Sequence, residues 1–329
     1  MKSDLQWMQA QVVALRDVTP TVREFELRPE SGFAAAHEPG AHLQVQVMTA
    51  QGRVQTRSYS LVGEGDSRCW RIAVKRLDDG RGGSLAMWRL AVGDRLQVSA
   101  PQNHFPLDLS APGYLLVAGG IGITPLVLMA QRLGAHAKRT GVPVKMLYGA
   151  RNAGEFGYLP HLREALGESG VEAHEGATPI DFAAAIAALP PGGQLYTCGP
   201  VPMLEAVKRA WHAAGRAIED LRFETFGSSG RLATQPFQVR IPRHDLAITV
   251  PADCTLLEAL DAAGVQTLSD CKRGECGLCA MDVISVDGEI DHRDVFLSEH
   301  EKKSVTRICA CVSRAVGTLT LDSAYRADS

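Results

Sequence analysis

The 329-residue sequence predicts a multidomain chain: an antiparallel β-barrel, then a doubly wound α/β domain, then a small α+β domain built around a cysteine loop. Three observations carry this. Up to about residue 107, short segments alternate apolar and polar residues between turn residues. From residue 113 to about 226, short apolar runs alternate with helical patterns. After a polar stretch (GSSGRLATQP), strand-like segments flank Cys271, Cys276 and Cys279. The expected boundaries are 1–109, 110–227 and 237–329, with 228–236 as a linker by composition.

In the first domain, residues 21–27 and 43–47 alternate cleanly and 70–74 nearly so, as half-buried antiparallel strands do. The motif Arg57-Ser58-Tyr59-Ser60-Leu61 is weak alone, because arginine and hydroxyl residues are common on strands. It is followed by Ala73-Val74-Lys75-Arg76, and then by Gly80-Arg81-Gly82-Gly83-Ser84 leading into a short helical stretch, 85–89. Glycine N–H groups converging at a helix start favour an anion, with a dipole contribution of ~0.3–1 kcal/mol. A phosphate fits there, Arg57 supplies charge beside it, and the Tyr59 ring with its neighbouring hydroxyls can flank a planar ring system. The ligand in this reading is flavin mononucleotide (FMN).

In the second domain the runs YLLVAGG, VKMLYGAR and QLYTCGP alternate with helical patterns such as Ile123, Leu126, Val127, Ala130, Leu133 and Met203, Val207, Ala210, Trp211. This alternation predicts a parallel sheet. Gly119-Gly120-Ile121-Gly122-Ile123-Thr124-Pro125 lacks the G-x-G-x-x-G spacing, and a glycine run can serve packing alone. Its place, closing a strand and opening a helix, makes it a pyrophosphate site with Thr124 free to donate. Cys198-Gly199-Pro200 ends a later strand, where a small soft side chain can face a nicotinamide; as pure packing, Cys198 is a small buried hydrophobe.

Cys271, Cys276 and Cys279 have the C-x4-C-x2-C spacing of a plant-type [2Fe-2S] centre. Eight cysteines in 329 residues are too few for a disulfide scaffold. Structural zinc would want a second C-x2-C pair or nearby histidines, whereas His292 and His300 sit in polar, charged segments. Gly274 and Gly277 let backbone N–H groups approach an anionic cluster. The fourth ligand is Cys309, 29 residues separating it from Cys279, or Cys311. On a strand over 307–313 the two would face the same side, so periodicity leaves both open.

A formal net charge of −3 and the absence of a basic block exclude a nucleic-acid or lipid-surface footprint. The most apolar segment, 114–130, is broken by Gly119, Gly120, Gly122 and Pro125, short of the ~20 apolar residues of a membrane span. The first ten residues contain no secretory h-region, so a cytoplasmic protein with reduced thiols is expected.

The order RSYSL, AVKR, GRGGS, GGIGITP, CGP, FETFG, C-x4-C-x2-C and CVSRA resembles the phthalate dioxygenase reductase family over essentially the whole chain. The resemblance implies an FMN-binding β-barrel, an NAD-binding α/β domain and a β-grasp ferredoxin domain. It implies FMN contacts at Arg57, Ser58, Tyr59, Ser60, Val74, Lys75, Gly82, Gly83 and Ser84. Nucleotide contacts are implied at Gly120, Thr124, Cys198 and Pro200, with Phe226 near flavin and nicotinamide. Cys271, Cys276, Cys279 and Cys311 are implied as cluster ligands, because Cys311 precedes Val312-Ser313-Arg314-Ala315 and the segment 284–293 looks about two residues longer than in relatives.

The implied activity is electron passage from NADH through FMN and [2Fe-2S] to the terminal oxygenase of a Rieske system, by a monomer. No catalytic acid or base is needed, since the cofactors carry the chemistry. The chain has Asn152 where NADH-using relatives often carry an acidic residue, with Glu155 the nearest carboxylate. Two alternatives are a reductase for a haem or di-iron hydroxylase, and a non-catalytic redox relay or sensor.

Overall fold

The computed structural model describes residues 6–50, 52–78, 80–226, 230 and 232–322, and the elements below are those of the described residues. The chain forms two compact units, one of Met1–Asp78 with Gly82–Glu224, the other of Asp79–Arg81 with Thr225–Ser329. The barrel and the α/β domain therefore share a single unit.

The barrel strands are β1 (Trp7–Thr19), β2 (Val22–Pro29), β3 (Ala41–Met48), β4 (Val54–Ser60) and β5 (Trp70–Lys75). After helix α1 (Gly83–Trp88) come β6 (Arg95–Ser99) and β7 (Gln102–Asn103). They pair in the order β4-β3-β6-β1-β2-β5 with β7 on β3, and a Leu61–Ile72 bridge brings the two edges together. Alternation places Phe25, Leu27, Leu43, Val45 and Ile72 inside, fully buried. Trp70 lies among them and donates its indole N–H to the Ala35 carbonyl at 2.9 Å, so burial leaves no polar atom unpaired.

The α/β domain runs β8 (Tyr114–Gly119), α2 (Thr124–Thr140), β9 (Val144–Ala150), α3 (Leu159–Leu166), β10 (Val171–Glu175), α4 (Phe182–Ala188), β11 (Gln194–Cys198), α5 (Val201–Ala213) and β12 (Leu221–Glu224). The sheet order is β10-β9-β8-β11-β12, all parallel. Every residue of β8 is buried, as a central parallel strand covered on both faces requires. The chain winds from β8 outward to β10, then returns to β11 on the other side, so the order reverses between β8 and β11. That reversal opens a crevice beyond their carboxyl ends.

The second unit holds β13 (Phe237–Ile241), β14 (Leu246–Val250), α6 (Leu256–Ala262), β15 (Ala280–Asp291), α7 (Glu299–Ser304), β16 (Arg307–Cys309) and β17 (Arg314–Asp322). Its sheet order is β14-β13-β17-β15-β16, with β13 parallel to β17 and the other pairs antiparallel. Thr255 caps α6 and Ser298 caps α7, each in a capping box with the glutamate three residues on. Of the 228–236 linker read from composition, residues 228, 229 and 231 lie outside the described residues.

Candidate functional site

The barrel motif forms a cradle at the start of α1. Gly82 caps the helix at φ 85°, a conformation that favours glycine. A Cβ on Gly83 would stand 2.9 Å from Arg57 Nε and 3.1 Å from Gln55 Oε1, so Arg57 lies directly against the helix start. Its guanidinium donates to the Thr56 carbonyl at 2.8 Å and to the Gln55 side chain. On β4, Ser58 is exposed and Tyr59 half-buried, and burial pushes the Tyr59 phenol up to about 12. Ser60 is buried, its hydroxyl without a partner among the described residues. A fixed cation against a glycine helix start fits the phosphate of a ring ligand. Val74 is buried; the Ser84 hydroxyl is engaged with Leu77, 3.1 Å from its amide.

At the sheet crevice, the glycines of the two loops have separate roles. A Cβ on Gly122 would lie 2.3 Å from the Cys198 carbonyl oxygen, and one on Gly119 would lie 2.5 Å from Pro200. These two glycines let the β8 and β11 loops touch. Gly120, at φ 53°, has no atom within 4 Å of a Cβ position and leaves the floor open. The register aligns Cys198 with Ala118 on one side and Glu224 on the other. Cys198 is 1% exposed, and the hydroxyl of Thr197 beside it is buried without a partner among the described residues. Pro200 caps the 13-residue α5. These features fit a dinucleotide at the end of the sheet.

The expectation that the Thr124 hydroxyl is free to donate is corrected. It donates to the Ile121 carbonyl at 3.0 Å, the same carbonyl that receives the Thr124 amide where a single turn of 3-10 helix (Gly120–Ile123) leads into α2.

Polar contacts cross from the barrel to the α/β domain within this unit. The Glu155 carboxylate accepts from the Thr21 hydroxyl at 2.6 Å and lies 3.6 Å from Lys75 Nζ. Glu155 and Lys75 are thus engaged with each other. The Tyr158 hydroxyl donates to the buried Glu24 at 2.8 Å, with Arg16 on the same carboxylate at 2.9 Å. Asn152 accepts from the Gly154 amide at 3.0 Å.

In the second unit, residues 271–279 form a loop whose amides turn inward. Lys272, Gly274 and Gly277 all have positive φ, of 52°, 77° and 74°. The Arg273 and Cys276 amides each donate to the Cys271 sulfur at 3.4 Å. Hydrogen bonds from the thiols of Cys309 and then Cys311 hold Cys279 well below the usual thiol range, to about 3. Among the described residues no three His, Cys, Asp or Glu side chains form a single-ion site. A two-iron cluster divides its ligands between the irons and does not require one. The amide-lined loop and converging thiols fit such a cluster.

The strand expected over 307–313 is also corrected. β16 ends at Cys309, and Cys311 lies in the following turn, where the Ser313 amide folds back onto the Cys309 carbonyl at 3.0 Å. Pleat alternation therefore does not relate the two cysteines. Both sulfurs interact with Cys279, and that of Cys311 also has the Gly274 amide and Cys271 beside it. Phe226, in the second unit, is 43% exposed.

Several residues around the loop escaped the sequence reading. The Ser313 hydroxyl donates to the buried Asp294 at 2.9 Å and accepts the Arg293 amide at 3.0 Å. Arg314 donates to the carbonyls of Pro251 at 2.9 Å, Gln235 at 3.1 Å and Cys254; burial lowers its pKa to about 10. The motif Val312-Ser313-Arg314 thus holds the turn that carries Cys311. Thr225 and Glu275 are a further pair, with the Thr225 hydroxyl donating at 2.9 Å.

This fold and these sites define a pyridine-nucleotide-dependent oxidoreductase with flavin and iron–sulfur modules. The 2Fe-2S iron-sulfur cluster binding domain family matches residues 239–316. The chain is 35% identical to the haem-dependent oxidative N-demethylase beta subunit of Ectopseudomonas mendocina (strain ymp), over 94% of this chain and 97% of that protein. It is 33% identical to the phthalate dioxygenase reductase of Burkholderia cepacia, over 94% and 95%. A solved phthalate dioxygenase reductase, described as a modular structure for electron transfer from pyridine nucleotides to [2Fe-2S], superposes with a TM-score of 0.78 at 32% identity, covering 96% of this chain and 98% of that one. The chain belongs to the phthalate dioxygenase reductase family, whose members use NADH, FMN and a plant-type [2Fe-2S] cluster as reductase components of oxygenase systems.

Proposed function

We propose that this chain is the NADH-dependent reductase of a Rieske non-haem iron oxygenase system, acting as a cytoplasmic monomer. When bound, a flavin would supply the exchange between the two-electron chemistry of a nicotinamide and the one-electron chemistry of an iron–sulfur cluster. Arg57, Gly82 and Gly83 would hold the FMN phosphate, with Ser58, Tyr59, Ser60, Val74, Lys75 and Ser84 around the ring and ribityl chain. Gly120, Cys198 and Pro200 would hold the nucleotide. Cys271, Cys276, Cys279 and Cys311 would hold the cluster.

The observation that carries this reading is the meeting of the Gly122 and Cys198 loops at the β8/β11 reversal, in the same compact unit as the Arg57/Gly83 cradle. Hydride transfer needs ring contact and dryness rather than an acid or base, and Cys198 is 1% exposed. The test is NADH-driven turnover with a purified Rieske oxygenase: product coupled to NADH supports the reading, and NADH oxidation without reduction of the Rieske centre opposes it. The similarity to a haem-dependent N-demethylase beta subunit favours a second reading, in which the acceptor is a haem enzyme. Reduction of a haem partner in place of the Rieske protein decides for it.

A further inference from the structure

We infer that Asp294 is a positioning residue for the iron–sulfur cluster: its buried carboxylate pins the turn that carries Cys311 beside the cluster loop and sets a fixed negative charge there; this rests on the proposed cluster ligands. Asp294 is 1% exposed, and Ser313 is fully buried. One carboxylate oxygen accepts the Ser313 hydroxyl and the other accepts the Leu297 amide, both at 2.9 Å. The Ser313 hydroxyl in turn accepts the Arg293 amide, and the Ser313 amide donates to the Cys309 carbonyl, both at 3.0 Å. The turn is therefore closed at Cys309 and anchored at Ser313, with Cys311 between. On its other side Asp294 meets the cluster loop. A Cβ on Gly274 would lie 2.9 Å from Asp294 Cα and 2.6 Å from Val312 Cγ2, and the Val295 amide donates to the Gly274 carbonyl at 3.0 Å. Gly274 thus packs against both Asp294 and the Cys311 turn, where its own amide reaches the Cys311 sulfur. All of these residues belong to the second unit.

The segments 271–279 and 309–313 supply all the proposed ligands, and Asp294 touches both while ligating nothing itself. Its charge adds what a neutral peg would not. Burial alone pushes the Asp294 carboxyl up, but the His292 side chain, the Leu297 amide and the Ser313 hydroxyl hold it below 3.8, so it is ionised at neutral pH. The His292 imidazole stands 3.7 Å away, and the neighbouring Arg293 guanidinium is committed to Asp291 at 2.9 and 2.8 Å. Both short hydrogen bonds to the carboxylate therefore come from neutral donors, and its buried field is weakly screened. The potential of an iron–sulfur cluster responds to the net charge around it and to nearby hydrogen bonds. A carboxylate at this place opposes the arrival of an electron and lowers the potential. Ser313, by donating to it, tempers that effect.

The test uses the full-length holoprotein with the variants Asp294→Asn and Ser313→Ala. Two readouts are followed without turnover, the cluster potential by anaerobic redox titration and hydrogen exchange at the amide of residue 313. Asp294→Asn keeps the shape and removes the charge. Its cluster should be reduced more easily by about tenfold in the equilibrium constant, ~59 mV upward, with iron and FMN content unchanged. Ser313→Ala keeps the charge and removes the tie. There the potential should move the opposite way, downward, and exchange at residue 313 should rise about tenfold. A merely structural role would shift both variants in the same direction. A parental potential in an iron-replete Asp294→Asn, or full protection of residue 313 in Ser313→Ala, overturns the inference. If Asp294→Asn loses iron, Ser313→Ala decides by the sign of its shift, an upward one overturning the inference; if both lose iron, exchange at residue 313 decides. A parent protein that takes up no [2Fe-2S] cluster would sink the proposed ligands, while the exchange result would still judge the tie.

Discussion

The Thr21 hydroxyl donates to the Glu155 carboxylate at 2.6 Å, joining the turn between β1 and β2 to the loop after β9. Lys75 completes the bridge at 3.6 Å. Replacing a nearly buried acceptor strands its donors, so Glu155→Ala should destabilise the chain by ~1–3 kcal/mol in urea unfolding. Because Glu155 is committed to the barrel, the preference for NADH over NADPH, expected to be at least about tenfold or ~1.4 kcal/mol, should survive in Glu155→Gln. Equal kcat/KM for the two nucleotides in that variant would assign Glu155 to the ribose instead.

Gly122 is where the two nucleotide loops touch. An alanine there sets its Cβ 2.3 Å from the Cys198 carbonyl oxygen, a backbone atom that cannot swing aside. Gly122→Ala should lose ~1–3 kcal/mol of stability and weaken NADH binding while FMN content stays normal. Unchanged NADH affinity by titration would show that the contact does not shape the crevice.

Much of this organisation was legible in the sequence. The switch from period 2 to alternating apolar runs and helical patterns located the barrel and the parallel sheet, and each glycine motif falls at an element end. The illegible parts are side-chain contacts between distant segments. Thr225 and Glu275 are 50 residues apart, and Thr21 and Glu155 are 134 apart, so neither leaves a period or a local motif. Thr124 misled because a hydroxyl at a helix start reads the same whether it faces a ligand or its own preceding turn. The strand expected over 307–313 misled because the fold-back of Ser313 onto Cys309, held through Asp294, ends a strand that propensity would continue.

Asp108 supplies a pH signature. It accepts the Ser110 amide at 2.9 Å and the Gln194 side chain at 3.0 Å, while its own amide donates to the Tyr196 hydroxyl at 2.9 Å. Its pKa is lowered below 3.8, first by the Ser110 side chain, then by the Ser110 amide and Gln194. A depressed carboxyl stabilises the fold above its unfolded pKa and loses that contribution as pH falls through the folded value. Asp108→Asn should therefore lower Tm near neutrality, and the gap to the parent should close as pH drops below 3.8. A gap that is constant from neutral pH to acid would mean the carboxylate charge is not what matters.

The fourth ligand can be assigned by iron content. Cys311 receives the Gly274 amide and senses Cys271, whereas Cys309 closes β16 against Ala280. Cys311→Ser should lose the cluster or make it labile, since an alkoxide is a poor partner for iron, and Cys309→Ser should keep it; flavin content should be normal in both. A full cluster in Cys311→Ser with loss in Cys309→Ser would reverse the assignment.

The central claim is that a two-electron carrier and a one-electron carrier share this chain and are in electrical contact. An anaerobic titration with NADH, followed at the flavin and iron–sulfur absorbances, measures this directly. One FMN taking two electrons and one [2Fe-2S] centre taking one should consume about 1.5 NADH per chain before the spectrum stops changing. An end point at about 1.0, with the cluster still oxidised, would contradict the account.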